Sequence, residues 1–320
     1  MQKQRVALSP ENLHLVETVA RTGSMAAAAR ELGLVPSALT YRVRQMEDAL
    51  DVLLFDRRSR RAQLTPAGAE LLRAGEHLLL ELDAVAQRVK RVATGWEPQF
   101  TIAADAIVSR TTLFELCEAF YSLGAPTRLR LRSETLSGTL EVVLNGQADL
   151  ALGVSMHGTS SSSLRFEQLG EVTFVFVVAP HHPLASVSHT LTAAELQQHR
   201  VVAVADSTQR GGGLSFGLLP GQDVLTVPTM QHKLEAQLRG LGCGSLPLPL
   251  VQPYIQAGHL VRKDVALPPR IYQPGYAWRL PHADRLSADS NTHGRAMEWW
   301  LTQLASPQTR RALLENHYQR

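Results

Sequence analysis

Apolar residues near the amino terminus recur at helical spacing, interrupted by short stops. Ser9 followed by Pro10 reads as a helix cap with proline in the first turn, opening a helix that carries Leu13, Val16 and Val19 and ends near Gly23. A second short helix, SMAAAAREL, is capped by Ser24 and ended by Gly33, whose position suits a left-handed residue. A third starts at Pro36 or Ser37. Its buried stripe is Leu39, Val43, Met46 and Leu50, and its opposite face carries Ser37, Tyr41, Arg44 and Gln45. Two short helices joined by a tight turn, the second polar and basic outside, make either a helix-turn-helix or a plain helical hairpin.

The next segment favours the first reading. VLLFDRRSRRAQLT places two short apolar pieces around four arginines, Arg57, Arg58, Arg60 and Arg61, as a β-hairpin wing against DNA phosphates would. Taken alone, such a run is also an ordinary solvated surface. The residues expected at double-stranded DNA are these four with Ser24, Pro36, Ser37, Ala38, Thr40, Tyr41, Arg42, Arg44 and Gln45. From Thr65 and Pro66 a long helix runs to Ala93, with Leu71, Leu78, Leu82, Val85, Val89 and Val92 on one seam and Gly75 completing its spacing. A seam of this period predicts a coiled coil with an identical partner; packing on its own domain is the alternative. Thr94, Gly95 and Pro98 end the helix and read as a hinge.

Beyond residue 99 strands and helices alternate: FTIAA, TTLFELCEAFYSL, LRLRSE, a helix from about Ser137, then ADLALGV. VTFVFVVA, VVAVA, the helix MQHKLEAQLRGLG, SLPLPLV and a strand near Tyr276 to Trp278 continue the pattern, which is α/β topology. A closing helix around Arg295 to Leu304 is expected to return to the first lobe. The domains are therefore 1–64, a winged helix-turn-helix; 65–95, a dimerising linker helix and hinge; and 96–320, an α/β part.

Composition narrows the function classes. Hydrophobic residues make up 44% and charged residues 19%, ordinary for a folded globular chain. Residues 1–95 hold 14 Lys and Arg against 11 Asp and Glu, whereas the rest balances, so the net charge of +3 lies in the helical head, suiting a polyanionic partner. No apolar run reaches membrane-spanning length, and the amino terminus lacks a signal-peptide core, so a cytoplasmic protein is expected. Cys117 and Cys243 lie too far apart in sequence for a disulfide framework or paired metal ligands. His181 and His182 are adjacent and followed by proline, which reads as a loop rather than a metal site. No nucleotide-binding or hydrolase motif is present, and the glycines at 211 to 213 lack a following lysine. No catalysis, cofactor or metal is expected.

AAARELGLVPSALTYRVRQMEDALDVLLFDR resembles the LysR-type transcriptional regulators, and the similarity continues through LTPAGAELL, with weaker features at APHHPL and GLGCGSLP. The sequence departs from the family pattern at Asp51, where glycine is usual before the wing, and at Met46, where leucine is usual. The resemblance implies a periplasmic-binding-protein-like pair of lobes, roughly 99 to 178 and 180 to 280, with a small organic effector in the cleft between them, and a homodimer or homotetramer. Strand ends and helix N-termini converge at such a cleft. The candidate contacts are Asp105, Ser109, Thr135, Ser137, Ser155, Asp206, Ser207, Thr229 and Met230, each of which also reads as a helix cap or turn residue. Asp105 favours an effector that is neutral or hydroxyl-bearing at its inner end, unless Arg110 pairs with it. Two alternatives remain at this point: a nonspecific architectural DNA binder without effector, and a solute-binding or carrier protein.

Overall fold

The computed structural model describes residues 6–56, 62–155, 163–208, 217–268, 270–280 and 293–317, in two units, Met1–Arg88 and Val89–Arg320. In the first, helices α1 (Pro10–Thr22), α2 (Met25–Glu31) and α3 (Pro36–Leu50) begin and end on the residues that the sequence marks. Ser9 Oγ accepts from Asn12 N and Ser24 Oγ from Ala27 N, both at 3.4 Å. Gly23 and Gly33 take positive φ of 67° and 66° at the two stops. The three apolar stripes meet in one core of Leu15, Val16, Val19, Leu39, Val43 and Met46, with Leu50 partly buried at its edge.

A two-stranded ladder follows, β1 (Phe55–Asp56) against β2 (Gln63–Leu64), with Phe55 opposite Leu64. Its first strand is held from α3. The buried Glu47 carboxylate accepts from Leu54 N at 2.8 Å and Phe55 N at 3.4 Å. The long helix α4 (Pro66–Thr94) is capped by Thr65, whose hydroxyl donates to Leu53 O at 2.6 Å and accepts from Gly68 N at 3.0 Å. Gly68 is a requirement of close approach, because a Cβ there would stand 2.1 Å from Leu54 O.

The second unit holds two lobes. In the first lobe the strand order is β4 (Arg128–Glu134), β3 (Gln99–Asp105), β5 (Leu150–Val154), β13 (Gly275–Arg279), β6 (Leu164–Gln168), the first three mutually parallel. Helices α5 (Arg110–Tyr121) and α6 (Ser137–Leu144) connect the parallel strands. The closing helix α10 (Arg295–Ala305) buries Trp300 against Phe100 and Phe120, and α11 (Pro307–Glu315) adds Leu313 and Leu314 to the same core. In the second lobe β7 (Val172–Val178) lies between β10 (Gly244–Pro247) and β11 (Val261–Lys263) and also pairs with β12 (Ile271–Tyr272). Beside them β8 (Val201–Val204) runs parallel to β9 (Val224–Val227), with α7 (Ala193–Gln197), α8 (Met230–Leu238) and α9 (Leu248–Gln256) completing the lobe.

Two expectations are corrected. The lobe boundaries shift, because β7 pairs only within the second lobe, while β13 returns to the first lobe between β5 and β6. The segment after α4 is no bare hinge: Glu97 accepts from Ala296 N and Met297 N, Gly95 O accepts from Arg295 N, and the Arg295 guanidinium lies 5.7 Å from the Trp96 ring centre. The closing helix thus fastens that segment to its own lobe.

Candidate functional site

Helix α3 separates a buried face from an open one. Pro36, Ser37, Tyr41, Arg42, Arg44 and Gln45 are exposed, Tyr41 at 62%, while Ala38 and Thr40 are half-buried. Gln45 Nε2 donates to Tyr41 Oη at 2.9 Å, so these two polar groups orient each other one turn apart. The Thr40 hydroxyl is spent on Pro36 O at 2.9 Å. Val35 occupies the cap position of α3 and gives no side-chain hydrogen bond, which leaves the first amides of this helix for water or an incoming phosphate. Ser24 caps α2 instead of facing outward freely. Arg57, Arg58, Arg60 and Arg61 lie outside the described residues.

Along α4 the predicted seam divides. Leu71 packs against the head core and Gly75 lies on Leu13, whose Cδ2 would be 2.9 Å from an added Cβ. From Leu78 onward the seam is open, with Leu78 48%, Leu82 51%, Val85 45%, Val89 65% and Val92 85% exposed. A row of large apolar side chains left bare on one helix is the signature of a surface that a partner covers.

Between the lobes, parallel pairing brings the ends of β3, β4 and β5 to one edge, and with them Asp105, Thr135 and Ser155. Asp105 is buried, and its two oxygens accept from Ile107 N and Leu136 N, each at 2.9 Å. Burial pushes its pKa up to about 6 against the pull of those two amides, with Asp206 adding to the rise. Leu136 is held at φ 54°, ψ −123°, a conformation costing about 1–3 kcal/mol for such a side chain. Asp105 and the second lobe together hold this turn. Thr135 Oγ1 donates to Ala205 O at 2.7 Å, Thr135 N to Ser207 Oγ at 2.9 Å, and Ser207 Oγ to Glu134 at 2.9 Å. Asp206 accepts from the Ser137 hydroxyl and, at 3.2 Å, from Gly138 N. Gly138 is needed there, since a Cβ would fall 2.0 Å from Ser207 Oγ.

Five of the nine nominated cleft residues, Asp105, Thr135, Ser137, Asp206 and Ser207, therefore form one contact network across the lobes. Ser155 lies at the same sheet edge. The others are elsewhere. Ser109 is fully buried, caps α5 through Thr112 N and donates to Asn316 O; Thr229 caps α8; Met230 packs into the second-lobe core. Arg110 lines a groove of about 420 Å³ with Phe114 and Tyr254, whereas the hydrogen-bond partners of Asp105 are backbone amides, so the Arg110 pairing is not formed. His182 accepts from Leu184 N and His181 reaches Arg239 O, both loop roles. Sequence reasoning missed Tyr272, whose hydroxyl donates to Gly153 O at 2.9 Å, and Arg270, stacked 4.5 Å over Phe174. Neither carries a local motif; only the crossing of the chain between lobes brings them here.

Residues 10–69 match the family described as bacterial regulatory helix-turn-helix protein, lysR family, and residues 93–290 match the LysR substrate binding domain. The chain belongs to the LysR family of transcriptional regulators. Among its relatives are two Escherichia coli K12 proteins. The HTH-type transcriptional regulator YeeY is 34% identical over 90% of both chains, and the probable regulator YhaJ is 38% identical over 81% of this chain and 87% of its own. The full-length LysR-family protein CbnR in complex with its target DNA shares the fold, with a TM-score of 0.59 at 15% identity over 93% of this chain and 99% of CbnR. As a LysR-family regulator the protein pairs a DNA-binding helix-turn-helix with an effector-binding domain. Among the described residues no helix is long and apolar enough to cross a membrane.

Proposed function

We propose that this regulator reads its operator with the outer face of α3, grips the DNA backbone with the wing arginines, dimerises through α4 from Leu78 onward, and takes its effector between the lobes. The working parts are residues 1–64 for DNA, 65–95 for dimerisation and 96–320 for the effector. It acts in the cytoplasm and catalyses no reaction. The observation that carries this reading is the division of α3: Leu39, Val43 and Met46 are buried, while Tyr41, Arg44 and Gln45 stand exposed beside a helix start that no side chain caps. Tyr41 and Gln45 reach base edges, whereas Arg42, Arg44 and the wing arginines Arg57, Arg58, Arg60 and Arg61 supply mainly phosphate contacts. The inter-lobe network of Asp105, Thr135, Ser137, Asp206 and Ser207, with Ser155 beside it, is what an effector rearranges; Ser109, Thr229 and Met230 support the helices around it.

Titrations on operator and random DNA at several salt concentrations test the DNA assignment. Arg58→Ala with Arg60→Ala lowers affinity for both DNAs and flattens the salt dependence by about one unit per lost contact. Tyr41→Ala or Gln45→Ala costs about 1–3 kcal/mol on operator alone, with random-sequence affinity and salt slope unchanged. Equal losses on both DNAs in the helix variants refute base reading by Tyr41 and Gln45.

A further inference from the structure

One group of buried polar side chains in the second lobe serves none of the roles above. Lys233, in the first turn of α8, is 6% exposed and has no hydrogen-bond or ion-pair partner among the described residues. One turn on, Gln237 is fully buried, and neither its amide nitrogen nor its amide oxygen has a hydrogen-bond partner there. Both face Gly244 at the start of β10: a Cβ built on Gly244 would lie 2.9 Å from Gln237 Nε2 and 3.4 Å from Lys233 Nζ. Burial, with a smaller push from the Arg270 guanidinium, lowers the Lys233 pKa to about 8, so at neutral pH the ammonium is still largely charged. Helix α8 begins just after β9, at the same end of the lobe where Ala205, following β8, bonds to Thr135 of the first lobe. Lys233 therefore starts from the cleft end of its lobe, and Gly244, level with Val202, lies deeper in the lobe.

A buried ammonium without a counter-charge, beside an amide with both ends unsatisfied, is costly to fold and is retained where something else completes it. Its chemistry specifies the complement. Lys233 calls for an oxyanion; Gln237 Nε2 offers that oxyanion a second donor; Gln237 Oε1 calls for an N–H or O–H on the same molecule. Resting on the reading that this domain binds an effector, we propose that Lys233 and Gln237 form an oxyanion subsite for a small acid carrying a hydroxyl or amino group next to its acidic group. This reverses the expectation drawn from Asp105, whose charge is taken up by backbone amides in the first lobe.

The test uses the full-length protein and a panel of acids of two to six carbons, each in parent, 2-hydroxy and 2-amino form. The matching neutral amides and inorganic phosphate complete the panel, all at constant ionic strength with thermal shift as readout. Expected is a saturable shift with at least one hydroxy or amino acid, with its amide about tenfold or more weaker. Lys233→Met and Gln237→Leu each lose that shift about tenfold or more, while both variants without ligand melt at or above wild type, since an unsatisfied buried group has been removed. Phosphate binding with the same Lys233 dependence supports the oxyanion site and assigns it to a phosphorylated ligand. The proposal is overturned if no acid and no phosphate gives a saturable shift, if amides bind as well as acids, if the shift survives both variants, or if the unliganded variants melt several degrees below wild type. Operator binding separates this from the effector reading. An acid that binds through Lys233 without changing operator affinity keeps the subsite and refutes the effector role, whereas a neutral compound that changes operator affinity in both variants does the reverse.

Discussion

The recognition helix and the inter-lobe cleft solve opposite problems with similar residues. On α3 the groups proposed for DNA are not the groups that hold the fold: Tyr41 is 62% exposed while Leu39 and Met46 are fully buried. In the cleft the candidate ligand groups are themselves structural. Asp105 fixes two backbone amides, Asp206 holds Ser137 and Gly138, and Ser207 ties Thr135 to the other lobe. The difference follows from the ligand. DNA stays outside, so its contacts need only be exposed, whereas a small molecule must be enclosed, and enclosing groups satisfy one another until it arrives. Variants in the head should therefore separate binding from stability, and variants in the cleft should not.

The largest effect is expected on the linker, which belongs to neither class because its open residues are apolar. Leu78→Asp with Leu82→Asp places carboxylates in the proposed dimer seam at a cost of several kcal/mol, so sedimentation should show monomers and operator binding should fail with dimerisation. An intact dimer in the double variant would show that α4 is not the interface. Next in size is the cleft, probed through Asp105. Its pKa in the folded chain is raised to about 6 from an ordinary 3.8, so the folded state favours its protonated form. That contribution is fully present below pH 3.8 and is lost as the pH rises through about 6, roughly 3 kcal/mol across the window. Denaturant unfolding of wild type and Asp105→Asn between pH 4 and pH 7 measures it as wild-type stability falling relative to the non-titrating variant as the pH rises. A flat difference would mean that Asp105 titrates as an exposed carboxylate does and that the cleft is wetter than its burial indicates.

Glu47 breaks the comparison from the other side, because it is a stability residue of the head on the helix whose outer face is proposed to meet DNA. Replacing it by alanine removes the acceptor of Leu54 N and Phe55 N and should cost about 2 kcal/mol, lowering the unfolding midpoint. Operator affinity should fall with it, because β1 leads into the proposed wing; unchanged affinity would detach that segment from recognition. Glu47 also marks the limit of what the sequence makes legible. Helix caps at Ser9, Ser24 and Thr65, stops at Gly23 and Gly33, and the stripe of α3 are local signals, set by neighbours three or four residues away. The Glu47 carboxylate reads as one more polar position in a helix until β1 folds back over it. The cleft is harder still. Asp105, Thr135 and Asp206 could be nominated because residues after strand ends gather at one edge, but the bonds they make join positions up to 72 residues apart. Lys233, Gln237 and Arg270 gave no signal, since a buried lysine on a helix has the spacing of an exposed one. The misplaced lobe boundary has the same cause: β13 lies more than a hundred residues from the β5 and β6 strands that it joins.

The smallest effect tests whether the head can be stabilised without touching recognition. Asp51 ends α3 at φ 55°, one of two non-glycine residues with positive φ among those described, and its N–H still bonds to Glu47 O. An L side chain in this left-handed region crowds its own backbone, although aspartate tolerates it better than most residues do. Glycine removes the crowding but loses more freedom on folding, so the two terms oppose each other. Glycine is the favoured helix C-terminal residue in this conformation, which indicates that relief of crowding wins. Asp51→Gly should accordingly raise stability by about 0.5–1 kcal/mol, read as a higher denaturant midpoint at unchanged slope. Asp51 is exposed and lies just before the wing, so losing its charge should also strengthen binding to operator and random DNA by the same small factor. A gain on operator alone would place Asp51 among the base-reading residues, and a loss of stability would show that its side chain supports the turn into β1.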